Sequence, residues 1–301
     1  MELPNMEIDR SELKRRAREA MRLVRPPFWV VTLAYVLMTN GASILLSLVL
    51  NYLIPPAGAE AATVFFNILL NLYLMVAAFG FHLWSLWTYR RMSPDLSALS
   101  QGFSVTWRVI GMNILILLMA LLYSMVLGTG IVLVFSSVWV SAAVMRLTPL
   151  LMFPFLGILM AALYVLMLRY ALAPFLLADR PEDGPLAAVR RSTALMRGYK
   201  WELFKLELSF LGWQAVNWVL SWGVQGYFLY QGGLLEMLQA ADWGSAMMLA
   251  YFISNSLLVY GLTTLVTLPV TLWLSPYRGV ALAGFYHERM ALLQKNAPPL
   301  I

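Results

Sequence analysis

The sequence predicts an all-α polytopic integral membrane protein, a helical bundle of six transmembrane helices with amphipathic helices along its cytoplasmic interface. Three observations predict it. Of 301 residues, 61% are hydrophobic and only 12% charged, about half the ~25% charged share of an average soluble domain. The apolar residues are gathered into blocks longer than the ~18 residues that mark a membrane-crossing helix. The cations fall almost wholly on one side of those blocks.

Taken in order, the expected spans are Phe28–Ile54, Ala61–Trp87, Val109–Phe135, Leu150–Ala178, Leu206–Tyr230 and Ala246–Leu274. Counting Arg169, near the end of span four, with the segment that follows it, all 21 Lys and Arg residues except Arg146 fall on alternate sides of these spans. Because cations are retained in the cytosol, both termini are expected there. The chain then divides into a basic amphipathic helix over 1–27, a six-span membrane domain over 28–276 and a cytoplasmic tail over 277–301. The apolar stretch from Phe28 is too long for the ~7–15-residue core of a signal peptide, so no cleavage is expected.

Before span one, "IDRSELKRRAREAMRLV" sets Ile8, Leu13, Ala17, Ala20 and Val24 on one helical face, with Asp9 or Ser11 as the cap. Between spans three and four, Gly128, Gly130 and Pro149 are expected to break the helices around a hairpin or re-entrant piece. Each inward-running span ends on Pro and a polar residue, in "SPDLSALSQGF", "DRPEDGPLAAVRRSTALMRGY" and "SPYRGVALAGFYHERM". A short interfacial helix is expected after each. These exits read either as three hairpins in parallel repeat or as the coincidence that alternating topology imposes.

Two polar features lie inside the apolar blocks. Trp201 marks the headgroup level, which puts Glu207 about 9 Å deeper, while Arg169 lies about 15 Å from Asp179. Charges at such depth are least costly when paired, so an Arg169–Glu207 pair is expected, as a structural pin or as a proton or ion relay, with Lys205 snorkelling outward. On span five, Gln214, Asn217, Ser221 and Gln225 share an arc of about 100° with Glu207 and Lys200. Ser256, Thr263 and Thr267 cluster on span six, and Asn67 and Asn71 lie one turn apart on span two. This stripe is either helix-packing glue or a polar groove between spans five and six. Pro154, Pro174 and Pro269 are hinges or filled kinks.

There is no cysteine, hence no disulfide or thiolate chemistry. The two histidines, His82 and His287, read as structural. None of the P-loop, G-x-S-x-G or H-E-x-x-H patterns occurs. No catalytic, cofactor-binding or metal-ligating residues are therefore expected, and no cofactor. The net charge of +6 reads as orientation, not as nucleic-acid binding. The expected partners are the phospholipid bilayer and its anionic headgroups, met by Lys14, Arg15, Arg18, Arg190, Arg191 and Lys200 at about 1 kcal/mol each. A membrane-protein partner or a second copy of the chain is the further expectation.

"RYALAPFLLADRP", "RRSTALMRGYKWELFKLELSFLGW" and "SPYRGVALAGFYHERM" together resemble the bacterial integral membrane family called domain of unknown function 975. The resemblance rests on Asp179–Pro181, Ser192, Met196, Gly198, Lys200, Trp201, Leu208, Ser209, Phe210, Gly212 and Trp213. Tyr199 departs from that pattern, where histidine is expected, and so does Arg180, where asparagine is. The resemblance implies a bacterial cytoplasmic (inner) membrane protein and supplies no activity. The expected function is a non-enzymatic accessory, scaffold or envelope-associated component. The alternative is a transporter or lipid-handling permease using the groove of spans five and six.

Overall fold

The computed structural model describes residues 9–53, 59–138, 156–240 and 242–296, and every regular element among them is helical. Helix α1 (Arg10–Leu23) starts on Asp9, whose carboxylate accepts the N–H groups of Ser11 and Glu12, a cap worth ~1 kcal/mol. Leu13, Ala17, Ala20 and Met21 form its buried face. Span one is α2 (Phe28–Val36), a π-helical turn (Leu37–Gly41) and α3 (Ala42–Tyr52). The wide turn falls where the Thr39 hydroxyl bonds back to the carbonyls of Tyr35 and Val36 and competes with the helical ladder.

Helix α4 (Ala59–Tyr89) is 31 residues long. Arg91 and Ser93, both at positive φ, turn the chain into the short α5 (Ser97–Gln101), and a 3-10 turn leads on to α6 (Thr106–Val138). Next comes α7 (156–167), which breaks into a 3-10 turn at Leu168–Tyr170. Then α8 (Ala173–Asp179) begins with Pro174 in its first turn, where no N–H is missed. After it come α9 (Gly184–Leu195) and α10 (Lys200–Leu208), with Gly198 at φ 78° in the turn between them. The remainder is α11 (Leu211–Gln231), α12 (Leu234–Gln239), α13 (Trp243–Ser254) and the 40-residue α14 (Leu257–Asn296).

Among the described residues, five stretches are long and apolar enough to cross a membrane: Phe28–Leu50, Glu60–Tyr89, Ser97–Gly130, Leu156–Asp179 and Leu257–Gln294. Expected span five, as α11, is not among them. Its 21 residues reach about 31 Å, enough for a ~30 Å hydrocarbon core, but Gln214, Asn217, Gln225 and three tryptophans dilute its hydropathy. Span six begins later than expected, because Asn255 and Ser256 separate α13 from α14.

Three expected helix breaks are also corrected. Helix α6 runs through Gly128 and Gly130 to Val138, since a helical glycine costs only about 1 kcal/mol, less than an unpaired amide would in lipid. Pro149 and Arg146 lie outside the described residues. Helix α14 runs through Pro269 and Pro276, so residues 277–296 continue that helix and no separate exit helix follows Pro276. The side chains after Pro276, Tyr277 and Arg278, are both anchored, and this packing holds the turn that proline weakens.

The described residues form two compact units. In one, Asp9–Phe103 with Glu207–Gly284, the core is made by Leu13, Ala17, Val76, Trp84, Leu86, Phe210 and Val280, all nearly inaccessible. The other contains Ser104–Leu206 and the chain from Phe285 onward, with Met112, Leu172, Phe175, Met196, Leu203 and Tyr286 at its centre. In both units the buried residues gather near the cation-bearing helix ends. The far halves of the long helices stay apolar and open: Leu45, Val64 and Phe65 in the first, Leu121, Met125 and Val126 in the second.

Candidate functional site

In the unit that contains α1, polar chemistry collects around the turn between α10 and α11. Ser209 and Phe210 interrupt the helix there, so Lys200 and Glu207 belong to a different helix from the stripe they were expected to share. The Glu207 carboxylate is met by Arg278 Nε at 2.7 Å; its side chain is only 14% exposed, that of Arg278 51%. Arg169, the expected partner, belongs to the other unit, and within this one the cation that meets Glu207 is Arg278. Phe210 meets Tyr277 edge-on at 5.1 Å. Lys14 lies over the Phe210 ring at 4.6 Å and donates to the Ser209 carbonyl at 3.4 Å, and Arg18 donates to the Tyr277 hydroxyl at 3.1 Å. Burial, with Arg18 and Arg10 nearby, lowers the Lys14 ammonium below its usual pKa.

Thus two of the cations assigned to lipid headgroups, Lys14 and Arg18, lie against aromatic rings. Arg15 is engaged within α1, at 2.7 Å from Glu12 and 2.6 Å from Glu19. Its neighbour Arg16 also bonds Glu12, and the two guanidiniums hold that carboxylate down to about 2. In the other unit, Arg191 pairs with Asp183, while Arg190 is exposed and Lys200 half-buried.

The span-five stripe turns inward. Gln214, Asn217, Ser221 and Gln225 are half-buried, whereas Trp213, Trp218, Trp222 and Tyr227 around them are exposed. Ser256, Thr263 and Thr267 are half-buried too. Thr267 bonds its own helix at the Thr263 carbonyl, and Asn67 and Asn71 likewise bond carbonyls one turn back. Asn40, in the π-helical turn, reaches Thr264 at 3.5 Å. Asn217 Oδ1 and Thr263 Oγ1 are buried with no hydrogen-bond partner among the described residues. A closed glue network would have used both.

The second unit holds Arg169 at the break between α7 and α8. Its Nη1 donates to the Tyr123 hydroxyl at 2.9 Å, its guanidinium lies 5.4 Å from that ring's centre, and the Tyr123 and Tyr170 hydroxyls are 3.3 Å apart. Ser192 donates to the Arg169 carbonyl at 2.8 Å, satisfying an acceptor that the helix break exposes. Nearer the cation-bearing end, Tyr286 donates to Asp179 at 2.7 Å. Arg289, 5% exposed, donates through Nε and Nη2 to the Leu195 carbonyl at 3.2 and 2.8 Å. Its guanidinium sits 3.4 Å from the centre of the Tyr199 ring, a contact worth about 2 kcal/mol when desolvated. The tyrosine that departs from the expected histidine thus has a task in this chain.

Sequence reasoning singled out Glu207, Arg169 and the stripe but missed Arg278, Phe210, Tyr277, Tyr123 and Arg289 as their neighbours or counterparts. The signal for Arg278 was its position in an unbroken α14, which Pro276, read as a helix end, hid. Tyr123 carried none, being one aromatic residue in a long apolar run.

A family model described as "Protein of unknown function (DUF975)" matches residues 6–292. The chain belongs to that family. No curated protein and no solved structure matched it. The DUF975 match spans both units, so the Glu207 and Arg169 centres both lie within the family's extent.

Proposed function

We propose that this DUF975 protein is a non-enzymatic scaffold or accessory component of the bacterial cytoplasmic membrane, crossing it six times with both termini inside and working through its cytoplasmic side. The observation that carries the topology is the docking of residues 286–289. Tyr286 bonds Asp179 and Arg289 bonds the Leu195 carbonyl, so α14 ends on the face from which the chain left after α9. A path that leaves and returns to one face crosses an even number of times. With α14 as one crossing, α11 supplies the other. Burial concentrated at the cation-bearing ends supports the scaffold role, because a fixed shape exists there to present.

The chain has no cysteine, so single cysteines report cleanly. A membrane-impermeant maleimide should label a cysteine at Met237 in intact cells and one at Arg197 only after lysis. Labelling of both from the same side would refute six crossings. A photo-crosslinker at Leu186 or Trp201 should give one discrete adduct, and the same reporter at Phe65 or Val126 should give lipid adducts alone. Identical patterns at all four would refute the scaffold.

A second reading, a lipid-handling permease, is favoured by one observation, the partnerless Asn217 Oδ1 and Thr263 Oγ1. If these atoms line a path, Asn217→Leu with Thr263→Val abolishes transport of a fluorescent phospholipid in proteoliposomes, and an unaltered rate counts against it.

A further inference from the structure

From the arrangement around Arg169 we infer a binding site for a phosphate oxyanion inside the unit built from α6 to α9, apart from the scaffold surface. Arg169 stands at the break between α7 and α8, and Tyr123, which it bonds, lies about 25 Å along α6 from Thr106. Helix α6 thus sets the guanidinium beside an apolar segment. Tyr123 takes Nη1. Among the described residues, buried Nε has no hydrogen-bond partner and no carboxylate pairs with Arg169. The Nε–Nη2 edge is the fork that grips a carboxylate or phosphate through two parallel hydrogen bonds. Nε, one arm of that fork, is buried with no partner among the described residues, so an oxyanion bonding it displaces no hydrogen bond of that atom. The helix break at Leu168–Tyr170 puts the residue where the backbone is least constrained. The oxyanion such a fork grips is a phosphate group, here the phosphodiester of a phospholipid drawn in from the headgroup level. Free inorganic phosphate presents the same chemistry.

The test uses the full-length protein, delipidated in dodecylmaltoside and followed by tryptophan fluorescence on heating. Phosphatidylglycerol, the phosphate-free monogalactosyldiacylglycerol and sodium phosphate, against sodium chloride of equal ionic strength, are titrated separately. Phosphatidylglycerol should raise the unfolding temperature and monogalactosyldiacylglycerol should not. Response to phosphatidylglycerol alone assigns the phosphate to a lipid. A response to sodium phosphate as well assigns it to a free anion. Arg169→Lys keeps the charge but removes the fork, and should abolish the response. Tyr123→Phe should weaken apparent affinity about fivefold, the loss of roughly one hydrogen bond, and reports even if the lysine variant does not fold. Arg197→Gln, exposed elsewhere, should respond as the native chain does. Equal responses to the two lipids, or an unchanged midpoint in both Arg169→Lys and Tyr123→Phe, overturn the site.

Discussion

Replacing Gly80 with alanine should separate α4 from α5 and lower stability sharply. A Cβ at Gly80 would stand 2.2 Å from the Leu99 carbonyl oxygen and 2.8 Å from its carbon. Ordinary contact begins near 3.4 Å, so α5 must retreat by roughly 1 Å. The obstacle is backbone and has no rotamer to change. The contact is reciprocal, since a Cβ at Gly102 would stand 2.7 Å from the Val76 carbonyl oxygen, so the segment is fixed at both ends and cannot pivot away. Overpacking of this kind costs about 1–3 kcal/mol, and a rigid obstacle puts Gly80→Ala toward the top of that range. For a chain of this size that corresponds to a fall of roughly 5 °C in unfolding temperature. The assay is intrinsic tryptophan fluorescence of the purified protein in dodecylmaltoside at one scan rate. Gly261→Ala is the control: it meets nothing within 4 Å and should be neutral or slightly stabilising. If the two variants shift equally, the loss is a general glycine effect and the close approach of α4 and α5 is wrong.

Arg278→Gln leaves Glu207, whose side chain is 14% exposed, without its cation and should cost about 1–2 kcal/mol after allowance for the half-exposed arginine. Exchanging the two residues should restore unfolding temperature, whereas exchanging Glu207 with Arg169 should not. Asn217→Leu with Thr263→Val removes two unsatisfied buried oxygens and should raise stability by about 1 kcal/mol or more; a fall in unfolding temperature would show that both are bonded in the bilayer. Glu12 has a folded pKa of about 2 against an ordinary 4.5. A depressed carboxylate stabilises above its unfolded pKa and loses that support as pH falls through the folded one. Hydrogen-exchange protection of α1 should therefore hold down to about pH 4.5 and decline from there to about pH 2, with the decline smaller in Glu12→Gln.

What the sequence made legible follows from the range of the interactions involved. The Asp9 cap and the buried positions Leu13, Ala17, Ala20 and Val24 depend on neighbours within a few residues, and both could be read from spacing alone. The inward face of the span-five stripe depends on one helix's own periodicity, so it survived the break at Ser209 for every member beyond it. Lys200 and Glu207 did not keep that phase, because a two-residue interruption resets the angle. The polar partners were hidden for a different reason. Arg169 and Glu207 were matched by depth, a single coordinate, whereas a pair also requires two helix faces to meet. Any cation at comparable depth was an equal candidate, and reading Pro276 as the end of its helix put Arg278 outside the span. That proline shows where local rules fail. Its missing N–H and steric clash can cost about 3 kcal/mol in an isolated helix. Here Tyr277 packs on Phe210 and Arg278 bonds Glu207 on the same turn, so tertiary contacts of similar size hold the helix through it. A proline therefore ends a membrane helix only where the next turn has nothing to grip.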